Sequence, residues 1–256
     1  MMMNEAAVGV DVKSRVIGFL WQHVLLFVSL FVMTAGVALC VRSSLGSSVI
    51  STIPYVMTEA GSASLVPALT IGQYTYLMNF VLVLAQIAVL RRRFEAVQLF
   101  QLAIGFAFGW LLDVNMAITD GIVCNTVATK ILAQWVGCTI LGVGIAFEVR
   151  CGSVTMPGEG MPVALTRVSR LPFAKAKIIV DVSLVVIAVV LGYAFFGRWL
   201  GNVVGIGTLF AMFYVGLVVR YIAPRISWFD RILSFRPGIR RVAYGLLRYL
   251  RNRNYR

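Results

Sequence analysis

The chain has 256 residues, of which 60% are hydrophobic and only 13% are charged. Soluble domains are about 45–50% apolar and about 25% charged, so this composition argues against a soluble globular protein. The formal net charge is +13, but the basic residues cluster in short loops between apolar segments and near the end of the chain. That distribution is typical of charge that orients a membrane protein, and we expect no nucleic-acid partner.

Apolar segments of about 20 residues, each long enough to cross hydrocarbon as a helix, recur along the chain. They are apolar on all faces, whereas the strands of a membrane barrel would alternate apolar and polar residues. The sequence therefore predicts an all-α integral membrane protein with about six transmembrane helices. The predicted spans are residues 16–41, 69–90, 97–118, 128–149, 178–196 and 203–222.

Basic residues alternate in number across the predicted loops. One side holds Lys13, Arg15, the loop Arg91–Arg93, the loop after Arg150 and the tail, whereas the other side holds only Arg42, Lys130 and Arg198. The richer side is expected in the cytoplasm, together with both termini. The chain then divides into a cytoplasmic N-terminus (1–15), a first membrane repeat (16–118), an external loop (119–127), a second membrane repeat (128–222) and a basic cytoplasmic tail (223–256).

The tail has the pattern of a surface helix. Arg240, Arg241, Arg248 and Arg251 fall within one quadrant of a helical wheel, opposite a group of apolar residues. Such a helix is expected to lie on anionic lipid headgroups. A topology anchor without further function is the simpler alternative.

The two halves of the chain show weak internal similarity. Gly46-Ser47 after the first span matches Gly152-Ser153 after the fourth at an offset of 106 residues, and Asn79 matches Asp181 at an offset of 102. Because each half has three predicted spans, the halves would have opposite orientations, as in the inverted repeats of many secondary transporters. We therefore expect two inverted three-helix repeats, with helix breaks or re-entrant segments after helices 1 and 4.

Three acidic residues, Glu148, Glu159 and Asp181, lie in or near apolar segments of the second half. A carboxylate at membrane depth needs a partner, water or a proton. Lys177 lies one turn before Asp181 and can pair with it. Asp181 is thus either a structural ion pair or part of an ion or proton site. Glu159 lies between two glycines, either facing a ligand or in a solvent-exposed turn.

Arg42 and Arg150 lie at the ends of the first and fourth spans. They and Glu148 either mark helix ends at the membrane interface or contact a ligand. The predicted substrate or ion site comprises Arg42, Asn79, Glu148, Arg150, Glu159 and Asp181. Gly105 and Gly109 form a G-x-x-x-G pattern that predicts close helix packing. The chain carries one histidine and no phosphate-loop or Cys/His metal motif, so we expect no cofactor, no metal and no enzymatic activity.

Two motif-bearing stretches are distinctive in combination. They are Arg42-Ser43-Ser44-Leu45-Gly46-Ser47-Ser48 with Thr52-Ile53-Pro54, and Met156-Pro157-Gly158-Glu159-Gly160 followed by Lys177 and Asp181. Together they resemble the YczE/YyaS/YitT family of bacterial membrane proteins, over roughly residues 16–222. The resemblance implies a multi-pass protein of the bacterial cytoplasmic membrane, without a settled substrate.

These patterns favour a secondary transporter or permease for a small polar or anionic solute. Arg42 and Arg150 would bind charge on the solute, and Asp181 and Glu159 would couple a cation. The alternative is a non-transporting accessory or scaffold protein of the membrane, and homo-oligomer formation stays open. A polar cavity near mid-membrane would favour transport. A dry interior with Asp181 paired to Lys177 would favour the alternative.

Overall fold

The structure is a computed structural model that describes residues 2–151, 156–169, 171–226 and 228, with side chains described from residue 21 onward. Within these residues the protein contains α-helices and three short 3-10 segments, and no strand. The helices are α1 (Met2–Ser43), α2 (Thr52–Ser62), α3 (Ile71–Leu90), α4 (Phe100–Ile118), α5 (Val127–Cys151), α6 (Pro157–Ser169), α7 (Phe173–Phe196) and α8 (Ile206–Ile222).

Five of these helices, α1, α3, α4, α5 and α7, are long and apolar enough to cross a membrane. Their outer faces expose large apolar side chains, among them Val81 (60% exposed) and Val190 (59%), as expected for a surface solvated by lipid. The chain is therefore a multi-pass, all-α integral membrane protein. The predicted sixth span, α8, has 17 residues. At about 1.5 Å per residue it is near the lower limit for a span, so the count of six stays a prediction.

Helix α1 extends beyond the first predicted membrane span at its N-terminal end. It begins at Met2, whereas residues 1–15 were expected to precede the first membrane helix. The part of α1 that is apolar enough to cross a membrane begins at Trp21. No proline precedes residue 16. Because hydropathy marks only the membrane-embedded part of a helix, it gives no signal for an extension into water.

Helices α1 and α5 run antiparallel through the interior. At one end Ser43 Oγ donates a hydrogen bond to Gln134 Oε1 at 2.7 Å, and at the other Gln22 Nε2 donates to the Cys151 carbonyl oxygen at 2.5 Å. Between these contacts the backbones approach closely: a Cβ on Gly36 would lie 2.6 Å from the Gly137 carbonyl oxygen. Small residues that admit such an approach are the usual basis of helix packing in membranes.

The predicted G-x-x-x-G packing is confirmed between α3 and α4. A Cβ on Gly109 would lie 2.5 Å from the Gly72 carbonyl oxygen, and a Cβ on Gly105 would lie 3.1 Å from Asn79 Nδ2. Asp113 of α4 also accepts hydrogen bonds from Thr70 Oγ1 at 2.6 Å and from the Gly72 amide at 2.8 Å. The first turn of α3 is therefore fixed to α4.

Contacts between helix ends define the two ends of the bundle. At one end Arg93 Nη1 donates to the Arg167 carbonyl oxygen at 3.3 Å, and Arg150 donates to the carbonyl oxygen of Ala223. We call it the basic end, because it carries Arg91–Arg93, Arg150, Arg167, Lys175, Lys177, Arg220 and Arg225. At the opposite end, the helix ends carry Arg42, Lys130 and Arg198. The structure thus separates the charges as the predicted loops do.

The chain after α1 turns back into the helix bundle. Its first residues stay at the opposite end, where the Gly207 amide donates to the Leu45 carbonyl oxygen at 2.8 Å. Gly46 has φ +122°, a conformation that side chains rarely tolerate, and a Cβ there would lie 2.6 Å from Thr208 Oγ1. The chain then enters the interior, where Ile50 packs against an apolar cluster that includes Leu82 and Leu184, near the middle of α3 and α7. Helix α2 leads back out to the loop before α3.

Helix α6 repeats this path from the basic end. Its first residue, Pro157, lies inside the bundle, where its carbonyl oxygen accepts a hydrogen bond from Gln86 Nε2 at 3.2 Å. Its last turn returns to the basic end beside Arg93. Gly158 lies directly against the Ile50 side chain. The segment that leads into α2 therefore meets the first turn of α6 inside the bundle, and the two helices finish at opposite ends of the bundle.

Candidate functional site

Arg42 lies at the opposite end, away from the other candidate charges. Its Nη2 donates to the Met116 carbonyl oxygen and to Asp120 Oδ1, both at 2.8 Å. Its Nε is buried and has no hydrogen-bond partner among the described residues. Arg42 thus fixes the end of α1 to the end of α4, and it does not join a common site with Arg150.

Arg150 lies at the basic end, where it donates to the Ala223 carbonyl oxygen just after α8. The two arginines are therefore on opposite sides of the bundle, and one compact solute cannot contact both in this conformation. The predicted loop charges had already assigned Arg42 and Arg150 to different sides. The predicted topology therefore also argues against a role in which Arg42 and Arg150 bind the same solute.

Glu148 is buried inside the protein, in the last turn of α5. It is 3% exposed, and its Oε1 accepts a hydrogen bond from the Met156 amide at 3.1 Å. This places a carboxylate at the N-terminal end of α6, where the helix dipole favours negative charge. The other oxygen, Oε2, is buried without a hydrogen-bond partner among the described residues. Glu148 also interacts electrostatically with Glu159 and Lys177.

Lys177 contacts two of the three predicted acidic residues. Its Nζ lies 2.9 Å from Glu159 Oε1 and 3.1 Å from Asp181 Oδ1. The predicted pairing of Lys177 with Asp181 is therefore confirmed, and Glu159 faces this lysine from α6. We call Glu148, Glu159, Lys177 and Asp181 the acidic cluster. If all four groups are ionised it contains three negative charges and one positive charge.

Asn79 and Asp181, which align in the two halves, occupy different surroundings. Asn79 is fully buried against Gly105 of α4, and neither atom of its amide has a hydrogen-bond partner among the described residues. Asp181 instead pairs with Lys177. The alignment therefore identified two buried polar positions of the interior, and the structure does not bring them into direct contact.

A pair of glutamines lies between Asn79 and the acidic cluster. Gln86 and Gln101 exchange two hydrogen bonds of 3.2 Å across α3 and α4. Both are buried, and a Cβ on Gly160 of α6 would lie 2.6 Å from Gln101 Oε1. The sequence analysis did not identify Gln86. Its position seven residues after Asn79, on the same face of α3, was the signal that could have shown it.

The buried glutamines and the acidic cluster offer hydrogen-bonding and ionisable groups. Among the described residues, no group of three His, Cys, Asp or Glu side chains could hold a metal ion. His23 contacts the Phe100 ring at 5.6 Å between ring centroids. The predicted membrane-surface residues Arg240, Arg241, Arg248 and Arg251 lie outside the described residues, as does Gly152-Ser153.

Comparison with known proteins assigns the chain to a family. A family model described as a family of unknown function, DUF6198, matches residues 20–224. The chain belongs to this family. No curated protein and no solved structure matches it. The match covers nearly the same residues as the resemblance to the YczE/YyaS/YitT family, which no named relative confirms.

Proposed function

We propose that this member of DUF6198 is a secondary transporter or permease for a small polar or anionic solute. The observation that carries the proposal is the contact inside the bundle between Ile50, just before α2, and Gly158 in the first turn of α6. In many transporters, interrupted helices direct their N-terminal ends toward a site near the middle of the membrane. These ends carry positive partial charge and unpaired amides, which favour a negative or hydrogen-bond-accepting group.

The helix neighbours support an inverted repeat for this transporter. Exchanging α1–α4 with α5–α8 maps the contact of α1 with α4 onto that of α5 with α8, and the contact of α3 with α6 onto that of α7 with α2. Thr58 and Thr166 each donate to the carbonyl oxygen of the proline four residues earlier, at 2.9 and 3.0 Å. Because α1 and α5 are antiparallel, the two halves that they begin would have opposite orientations.

The correspondence of the two halves is incomplete. In the described residues α3 packs closely along α4, but α7 and α8 make no comparable contact. The residues also differ in charge, because the α2 side carries buried Ser48, Ser51 and Thr52 whereas the α6 side carries the acidic cluster. In our proposal the two sides therefore have different tasks: the uncharged side admits the solute and the charged side couples its movement to an ion.

One observation favours the alternative, a non-transporting accessory or scaffold protein. Lys177 is paired with Asp181, and neither of two cavities in the structure is lined by the acidic cluster. One, of about 10 Å³, is enclosed by apolar residues such as Val56 and Val203. The other, of about 330 Å³, is a groove between α3 and α4 that includes Gln73 and Asp113. Neither cavity therefore supplies an open path to the acidic cluster in this conformation.

Flux measurements distinguish the two candidates. The full chain is reconstituted in proteoliposomes and tested with a panel of amino acids, carboxylates, phosphate and sugars at several pH values. Transport predicts saturable flux of at least one solute, lost in Gln101→Leu and retained in Gln98→Leu, a control at a half-buried glutamine one turn earlier. Absence of flux across the panel, for protein that remains folded by circular dichroism, would favour the accessory or scaffold function.

The same proposal includes the orientation. We propose a bacterial cytoplasmic membrane location in which the basic end faces the cytoplasm. The support is the separation of charge between the two ends of the bundle, which follows the positive-inside rule. The termini are then both cytoplasmic if α8 crosses the membrane.

A further inference from the structure

The four groups of the acidic cluster become more buried from the basic end inward. The Lys177 side chain is 31% exposed and that of Glu159 is 23% exposed, whereas the Asp181 side chain is 12% exposed. Glu148 is 3% exposed and lies deepest. Lys177 and Glu159 are therefore the most accessible groups of the acidic cluster, and Glu148 is the most enclosed.

Within the described part of the chain, Glu148 is the member of the acidic cluster whose hydrogen bonding is incomplete. Its Oε1 accepts from the Met156 amide, but Oε2 has no hydrogen-bond partner among the described residues. Burying an ionised carboxylate without a full set of partners is costly, and a bound proton removes that charge. A metal ion would need several ligands around it, and no suitable group of three acidic, Cys or His side chains occurs among the described residues.

We propose that Glu148 binds and releases a proton, which it exchanges with the solution at the basic end through Glu159 and Lys177. In one direction a proton from water at this end forms an O–H bond on the Glu148 carboxylate. In the other direction that bond breaks and the proton returns to water. Coupling of this exchange to solute movement rests on the proposed transport function, whereas proton binding itself does not.

Each helix around Glu148 contributes differently to its charge environment. Glu159 of α6 is a like charge, and Lys177 of α7 is an opposite charge with Asp181 next to it. On α5 itself, Cys151 and Arg150 follow in the next turn. Helix α1 presents Gln22 and Ser29 at Cys151, and its His23 contacts Phe100. Helix α8 carries Arg220 near the basic end.

Infrared difference spectroscopy of the full chain in lipid nanodiscs tests this inference. The carbonyl stretch of a protonated carboxyl is recorded between high and low pH for the wild type, Glu148→Gln, Glu148→Asp and the exposed control Glu95→Gln. We expect a titrating band in the wild type that persists in Glu95→Gln, is lost in Glu148→Gln and returns at a shifted frequency in Glu148→Asp.

Two results would overturn the inference: a wild-type spectrum without a titrating carboxyl band, or a carboxyl band that is unchanged in Glu148→Gln. If Glu148→Gln does not fold, the frequency shift in Glu148→Asp decides, and its absence overturns the inference. The flux assay is independent of this experiment. A band that depends on Glu148 without flux of any solute would support the proton site and contradict the transport function.

Discussion

The Ile50 side chain lies where a side chain on Gly158 would begin, so the segment just before α2 touches the first turn of α6. Because the blocking atoms belong to the flexible end of Ile50, we expect Gly158→Ala to cost about 1–3 kcal/mol, toward the lower value. For a chain of this size each kcal/mol lowers the unfolding temperature by about 2–4 °C. Thermal unfolding in detergent measures the effect.

A double-mutant cycle tests whether this contact is the cause. Ile50→Ala removes the obstructing atoms, so the combination with Gly158→Ala is expected to be more stable than the sum of the two single changes predicts. Coupling energies between touching residues are about 0.5–3 kcal/mol. If the effects of the two changes on stability are strictly additive, Ile50 and Gly158 do not touch as they do in the structure.

Gly36 gives a sharper case, because its neighbours are backbone atoms. A Cβ there would lie 2.6 Å from the Gly137 carbonyl oxygen and 2.8 Å from Leu141 Cα. These atoms cannot move away without separating α1 from α5, so Gly36→Ala should cost at least the upper part of the about 1–3 kcal/mol range for overpacking. The matched control is Gly216→Ala in α8, which has open space around it.

We expect Gly216→Ala to be neutral or to raise the unfolding temperature, because alanine is favoured over glycine in a helix by up to about 1 kcal/mol. The ratio of folded to aggregated protein after extraction, followed by a thermal scan, compares the two variants. Equal stability of Gly36→Ala and Gly216→Ala would contradict the close antiparallel approach of α1 and α5.

Cys40 and Cys138 report on the same interface. Both are free and fully buried, and their sulfur atoms lie 3.7 Å apart. A membrane-permeable oxidant is therefore expected to form a disulfide between Cys40 and Cys138 that links α1 to α5. The test uses a variant with Cys124→Ser, Cys151→Ser and a protease site inserted in residues 119–126. After cleavage the two fragments should migrate together without reductant and separately with it. Adding Cys138→Ser should abolish the link, and fragments that separate in both cases would refute the interface.

Several features of the fold and site could be predicted from the sequence because they depend on local pattern. The Lys177–Asp181 pair follows from the spacing of four residues on one helix. The segments that turn back into the bundle follow from Gly46 and Pro54 in the first half and from Pro157 in the second, residues that interrupt otherwise apolar runs. Hydropathy does not decide whether α8 crosses the membrane, because an apolar run of 17 residues lies at the lower limit for a span.

The remaining features depend on how the helices rotate and pack. Hydropathy locates α5, but it does not show whether the Glu148 side chain faces lipid, water or the other helices. The burial of Glu148 within the protein therefore could not be predicted. Gln86 lowers the apolar character of α3 only slightly, and its partner Gln101 is on another helix. The contact of Ile50 with Gly158 joins residues 108 positions apart, which no local pattern indicates.

Reporter fusions decide the topology that the short α8 leaves open. Because the basic end is expected in the cytoplasm, green fluorescent protein fused after Arg256 should fluoresce, and alkaline phosphatase inserted in residues 119–126 should be active. If the phosphatase is active at both positions, α8 does not cross the membrane and the protein has five spans. If both reporters are inactive at these sites, the whole bundle has the reverse orientation, and the positive-inside argument is wrong for this chain.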